Sequence, residues 1–165
     1  MNVTTRFSLP LLAAGQAQKE LFHNEALARI DALLHPVAEA FGAKTPPVDP
    51  SPGQLWIVGT APTGAWNGFT GQIAIWTEGG WRFVAPRDGL VVTLRDSGLG
   101  ATWREGEWRT GIIAASEVVV DGERVVASRQ PAIDEPTGGA VVDAEARAAV
   151  AAVLSALRTH GLIAS

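Results

Sequence analysis

Trp76-Thr77-Glu78-Gly79-Gly80-Trp81-Arg82 is echoed further along the chain by Trp103-Arg104-Glu105-Gly106-Glu107-Trp108-Arg109. Each segment reads Trp, two polar residues, Gly, one residue, Trp, Arg. A two-residue turn at Glu-Gly sets Thr77 opposite Gly80 and Arg104 opposite Glu107. One step out, Trp76 then faces Trp81 and Trp103 faces Trp108, at sites where no ladder hydrogen bond intervenes and side chains approach most closely. Aromatic cross-strand pairs of this kind add roughly 0.5–1.5 kcal/mol beyond the area they bury. The repeated hairpin predicts a mainly β protein.

Outward from the hairpins the pattern stays β. Strands are expected near 54–58, 72–77, 80–85, 90–95, 100–104 and 107–110. Another hairpin follows over 117–126, where Asp121-Gly122 is a strong two-residue turn signal. Val37 to Ala43 is a further strand, separated from the rest by the Pro-rich run Thr45 to Gly53. Upstream, Val3 to Leu9 reads as a short strand. Two helical pieces follow, Ala13 to Phe22 and Asn24 to Leu34. Asn24 caps the second, whose Leu27, Ile30, Leu33 and Leu34 share one face, and Pro36 stops it. The expected architecture is a small antiparallel β-sandwich or barrel-like domain with short N-terminal helices and one C-terminal α-helix. Its divisions are 1–36 (strand and helical docking segment), 37–127 (Trp-rich β domain) and 128–165 (linker and terminal helix).

The last helix runs from an N-cap at Asp143 to about His160, with Gly161 as its C′ residue. Ala146, Val150, Val153 and Leu157 follow a heptad seam that Leu154 widens. A helix apolar on most of its faces expects to be buried on most of them. Burial against other copies makes it an oligomerisation element; packing on its own β domain is the alternative.

Composition narrows the function. The chain has 165 residues, no Cys, no Tyr, six Trp and a formal charge of −4. Without Cys there is neither a disulfide framework nor a thiolate metal site. No basic block offers phosphates an attractive surface, so nucleic acid is not expected as a partner. No apolar run approaches the roughly 20 residues a spanning helix needs, and residues 1–6 do not resemble a secretory signal, so membrane insertion is not expected. His23, His35 and His160 are scattered. There is no nucleophile elbow and no phosphate-cradling Gly loop ahead of a helix. No catalytic residue, metal or cofactor is assigned, and the chain reads as a non-enzyme.

The indoles have two readings. They either clamp their hairpins and fill a small core, or expose ring faces that stack on sugars or on a partner protein. Candidate contact residues are Trp66, Asn67, Trp76, Trp81, Trp103 and Trp108, with Trp66-Asn67 in a Gly-rich loop as the expected exposed tip. The polar run with Gln16, Gln18 and Lys19, continuing to His23 and Asn24, is either a docking surface for a neighbouring subunit or a capped, solvated helix face.

Leu9-Pro10-Leu11-Leu12-Ala13-Ala14-Gly15-Gln16-Ala17-Gln18-Lys19-Glu20, continuing His23-Asn24-Glu25-Ala26-Leu27, resembles the opening of a domain of unassigned function common in alphaproteobacterial prophages and gene transfer agents. Pro52-Gly53-Gln54-Leu55-Trp56 and Gly71 to Trp81 match the same pattern, so the similarity covers about residues 4–110. The stretch from Pro136 to Ile163 is similar to a C-terminal segment of many phage fibre and tail proteins. The resemblance implies a virion component such as a head spike, spike base or tail fibre, made in the bacterial cytoplasm and released by lysis. It further implies self-association, with a trimer favoured and a pentamer as the alternative at a capsid vertex. Other capsid or tail proteins and host surface polysaccharide are the implied partners. A carbohydrate-binding adhesin and a particle-associated glycan hydrolase stay open as rivals.

Overall fold

The computed structural model describes residues 3–13, 15, 19–139 and 143–164. The chain divides into two units, Met1–Ile112 and Ile113–Ser165. The fold is mainly β, with nine strands in two sheets and two helices among the described residues.

In the first unit seven strands form one sheet: β1 (Val37–Ala43), β2 (Leu55–Val58), β3 (Ile73–Thr77), β4 (Gly80–Val84), β5 (Val91–Leu94), β6 (Gly100–Arg104) and β7 (Glu107–Thr110), in the order β4-β3-β2-β1-β5-β6-β7. The sheet is mixed, not purely antiparallel, and it does not close into a barrel. β1 lies at its centre and runs parallel to both neighbours, pairing Ala38 with Leu55 on one side and with Leu94 on the other. The Pro-rich run after β1 explains this. A tight hairpin would reverse the chain, whereas residues 44–54 carry it back so that β2 starts in the same direction. Each flank of β1 is then a three-stranded antiparallel meander, and each meander ends in one of the repeated Trp hairpins.

Strand alternation sorts the side chains onto two faces. One carries Ala38, Leu55, Ile57, Ile73, Ile75, Val92, Leu94 and Ala101, a continuous buried layer that Ala32 of the helix α1 (Lys19–Leu33) completes. The other carries Trp56, Val58 and Ala74, covered by Trp66. At the far end of β1 the backbones crowd. A Cβ on Gly59 would stand 2.1 Å from the Gly42 carbonyl oxygen, so only glycine fits there.

The two hairpins keep the expected register, with Trp76 opposite Trp81 and Trp103 opposite Trp108. Their turns differ. Glu105 and Gly106 both take left-handed conformations (φ 55° and 83°), as a type I′ turn requires. In the first hairpin it is Gly80 that is left-handed (φ 94°). The residue after the turn decides this: glycine accepts a positive φ at position 80, where Glu107 in the second hairpin must stay extended.

The N-terminal segment is a clamp on α1. Thr4 donates from its backbone N–H to Leu9 O, and the only ladder contact is an isolated bridge from Val3 to Pro10, so the expected strand over 3–9 is a tight loop. This loop closes around Asp31, which is 4% exposed. Asp31 accepts from Thr4 Oγ1 (2.6 Å), the Phe7 amide (2.7 Å) and the Arg6 amide (3.0 Å). The Arg6 guanidinium donates to the carbonyls of Ala32 (2.8 Å) and His35 (2.7 Å) at the end of the helix. The last turn of α1 contains no basic residue of its own, so Arg6 supplies the cation its C-terminal dipole attracts. Asn24 is not an N-cap. It sits inside α1, accepts from the Leu12 amide and donates to the Leu12 carbonyl, tying down the same segment. The Leu27/Ile30/Leu33/Leu34 face is only partly covered: Leu33 packs against the core and Leu27 is half-buried. Asp31 and Ala32 are buried, whereas Leu21, Phe22, Ile30 and Leu34 are exposed.

In the second unit, β8 (Val118–Val120) and β9 (Glu123–Val126) form a hairpin that pairs only with itself. Helix α2 (Ala144–Thr159) starts at Asp143, whose Oδ1 accepts from the Ala146 amide (2.9 Å), and Gly161 (φ 71°) ends it. An extended strap before the helix runs antiparallel to it. Arg158 donates to Ile133 O, Arg147 donates to Pro136 O and Gly138 O, and Gln130 pairs with Ile163 beyond the helix.

Asp31→Ala is expected to destabilise the first unit by roughly 2–3 kcal/mol, because the buried Thr4 hydroxyl and two part-buried backbone donors lose their acceptor together. A lower urea midpoint at unchanged slope checks this; an unchanged midpoint would refute the clamp.

Candidate functional site

Four indoles meet on one face of the large sheet. Trp76 and Trp81 sit edge to face at 4.9 Å, Trp81 lies 5.4 Å from Trp56 and 5.2 Å from Trp66, and Trp56 lies 6.1 Å from Trp66. Trp66 is therefore not an exposed tip: it is 0% exposed. The loop that carries it folds back over the sheet. Thr63 N–H donates to Lys44 O, the 3-10 turn Gly64–Trp66 aims the indole inward, and Phe69 stacks on Phe83 at 3.6 Å. Asn67, the next residue, stays exposed.

The second Trp pair lies on the opposite face, because β6 and β7 place Trp103 and Trp108 in line with buried Ala101. Their rings are 5.4 Å apart, and Trp108 Nε1 donates to Gly71 O at 2.8 Å. That bond joins edge strand β7 to the loop preceding β3, so the sheet coils strongly. The coil leaves a cleft of about 450 Å³ bordered by Phe41, Gly59, Gly71, Trp103, Glu107 and Trp108. A half-buried indole beside a carboxylate and bare glycine backbone can hold a flat, weakly polar ring by stacking and one or two hydrogen bonds.

A second cavity, about 500 Å³, lies between α1, the N-terminal loop and the β3–β4 hairpin. Glu25 of α1 binds Arg82 of β4 there, with Oε1 2.7 Å from Nη2 and both carboxylate oxygens 2.9 Å from Nε. The hydrogen-bonded guanidinium holds the Glu25 carboxyl below its usual range, against a smaller opposing effect of burial. Glu25 is thus a charged structural partner at neutral pH, not a poised general acid. Glu20 Oε2 is buried in the same region with no donor among the described residues. No group of three His, Cys, Asp or Glu side chains stands close enough to hold a metal among the described residues. No described helix is long and apolar enough to cross a membrane.

Of the sequence-predicted docking run, Lys19 and His23 are exposed, Asn24 is turned towards Leu12, and Gln16 and Gln18 lie outside the described residues. On α2, Ala146, Val150 and Val153 are exposed, Leu157 is half-buried, and Leu154, one turn on from Val150, is 5% exposed within its own chain. Residues that sequence reasoning missed include Arg6, Asp31 and the Glu25–Arg82 pair. Asp31 did leave a trace. An acid near the C-terminal end of a helix, between Ile30 and the apolar Ala32-Leu33-Leu34, is unfavourable without a specific partner.

Residues 23–109 match the model of a family described as "Protein of unknown function (DUF2793)". No curated protein matches the chain.

Trp66→Ala is expected to cost about 3–5 kcal/mol of stability, as for a fully buried indole, with a matching fall in the urea midpoint. For Glu25 the sign follows from a lowered pKa. The pair's stabilisation is present above the ordinary value of 4.5 and fades as pH falls through the lower folded value. Glu25→Gln should flatten stability against pH in that acidic window. At neutral pH it should cost no more than about 1 kcal/mol, because the pair is partly solvated.

Proposed function

This chain belongs to the DUF2793 family, and we propose that it is a non-enzymatic structural and attachment protein of a phage or gene transfer agent particle, a spike, spike base or fibre component. One observation carries the proposal. In the second unit, ten large apolar residues are exposed, from Ile113 and the hairpin valines to Val150, Val153 and Leu162, while Leu154 and Ile163 are the large ones buried among the described residues. A segment of this size with so small an interior does not hold itself together. It becomes stable when other chains cover it, as a subunit built for an assembly does. The first unit supports the same reading from its chemistry. Glu25 is paired with Arg82, and Glu105 and Glu107 with Arg109, so these three carboxylates are engaged in ion pairs. The expected assembly is a homo-oligomer, trimer favoured over pentamer, docked on other capsid or tail proteins of the particle.

A second reading rests on the cleft beside Trp103: a carbohydrate-binding adhesin that contacts capsule or envelope glycan directly. Glycan binding that Trp103→Ala abolishes without lowering the melting temperature would favour it.

Absolute mass in solution tests the structural proposal. The full chain should be a multimer, and a chain ending at residue 112 should be a folded monomer. A monomeric full chain counts against self-association, and capsule depolymerisation lost on a single Asp or Glu substitution would overturn the non-enzymatic assignment.

A further inference from the structure

The large sheet of the first unit opens at one place. β1 pairs with β5 only through Val37 and Ala38, yet it runs on to Ala43 beside β2. The Arg95 amide, just past β5, donates to Ala38 O, and from Glu39 onward no described strand lies against that side of β1. The β6–β7 hairpin borders the gap, and its Trp108 Nε1 donates across to Gly71 O. The result is the cleft of about 450 Å³ beside Trp103, at the carboxyl ends of the parallel pair β1 and β2. Strand order also changes direction at β1, with β2 to β4 on one side and β5 to β7 on the other. Open sheets with parallel strands receive ligands at such a switch, where diverging connections leave a crevice.

The lining decides what fits. Its aromatic part is Trp103, half-buried, and Phe41, 45% exposed. Thr60 and Thr70, both exposed, add two hydroxyls. Among the described residues no Lys, Arg or His borders the cleft. Glu107, the charged residue at its border, already accepts from Arg109 Nε through Oε1 at 3.0 Å. An anionic ligand therefore meets no counter-charge, and a cationic one meets a carboxylate already engaged. A neutral pyranose has the matching surface. One face of the ring presents C–H groups, whose slight positive charge suits the negative face of an indole. Its rim carries hydroxyls that both donate and accept, as threonine hydroxyls do. A flat aromatic guest would fill the stacking position and leave the threonines unused. The volume lies within the roughly 300–1,000 Å³ of small-molecule sites, room for a short stretch of glycan.

We propose that this cleft binds a neutral glycan, with a pyranose ring stacked on Trp103 beside Phe41 and its hydroxyls bonded to Thr60 and Thr70. The proposal rests on the adhesin reading given above and adds the chemical class of the ligand: uncharged sugar residues, not uronates or other acidic ones.

Ligand-observed NMR and calorimetry on the full chain test this with trisaccharides that differ in charge: neutral triacetylchitotriose, cationic chitotriose and anionic trigalacturonate. The neutral sugar is expected to bind, with the same affinity at roughly 0.05 and 0.5 M salt because no charge pair forms. The two charged sugars should bind at least about tenfold more weakly. Trp103→Ala should weaken the neutral sugar about tenfold, by loss of the stacking wall. Thr60→Val with Thr70→Val removes both hydroxyls at two exposed positions with little change of side-chain size, so it should weaken binding several-fold while the melting temperature holds. A charged sugar that binds as tightly as the neutral one, or neutral binding that survives both variants, overturns the neutral site and leaves the adhesin reading standing. No binding of any of the three sugars overturns the site and that reading together.

Discussion

The first unit depends on one strand having two parallel neighbours. β1 contributes little apolar bulk, and its Val37-Ala38-Glu39-Ala40 stretch would be unremarkable as an edge. Placed in the middle, it joins two antiparallel meanders that otherwise share no ladder. Parallel pairing requires long return connections. One is the Pro-rich run before β2. The position of β1 is in turn set from the other side by the clamp at the end of α1, where Arg6 holds the final carbonyls and Pro36 O accepts from the Thr93 amide as the chain enters the strand. A carboxylate, a guanidinium and a proline thus fix where the central strand begins.

The arrangement also explains why one repeated motif has two fates. Two meanders that start parallel to a shared central strand are related by a rotation about that strand, and such a rotation exchanges the faces of the sheet. The Trp76–Trp81 pair therefore points to one face and the Trp103–Trp108 pair to the other. On the first face a long β2–β3 connection is available, and it folds Trp66 and Phe69 over the pair to make a closed aromatic core. On the second, the short β5–β6 connection offers no such cover, so Trp108 reaches across to Gly71 and Trp103 borders a cleft. The same local chemistry yields a core in one half and an accessible aromatic wall in the other.

What the sequence made legible follows the same division between local and non-local. The strands, the cross-strand Trp register, the Asp143 cap and the Gly161 stop all rest on neighbours a few residues apart, and hairpin turns transmit that order directly into structure. The burial of Trp66, the central place of β1 and the buried face of α1 rest on contacts between distant segments. Periodicity misled for α1 in particular. Leu27, Ile30 and Leu33 fall on one stripe, but the helix is anchored through polar residues, Asn24, Glu25 and Asp31, each with a named partner outside the helix. Specific hydrogen bonds overrode the apolar pattern and left Phe22 and Ile30 at the surface.

The two units meet the requirement to bury apolar surface in opposite ways. In the first, both faces of a large sheet find cover from α1 and from the Trp66 loop within Met1–Ile112. In the second, the guanidinium groups of Arg147 and Arg158 hold the strap to one side of α2 by bonding its carbonyls, which satisfies backbone acceptors but removes little hydrocarbon from water. Hydrogen bonds of that kind fix geometry more than they stabilise, since each replaces a bond to water. The strap therefore shapes α2 without completing it, and leaves the valines of the helix in a defined arrangement. A segment ordered enough to have a specific surface, yet too thinly packed to persist by itself, has the physical character of one part of an interface. Its stability then rises with the concentration of the chains that cover it.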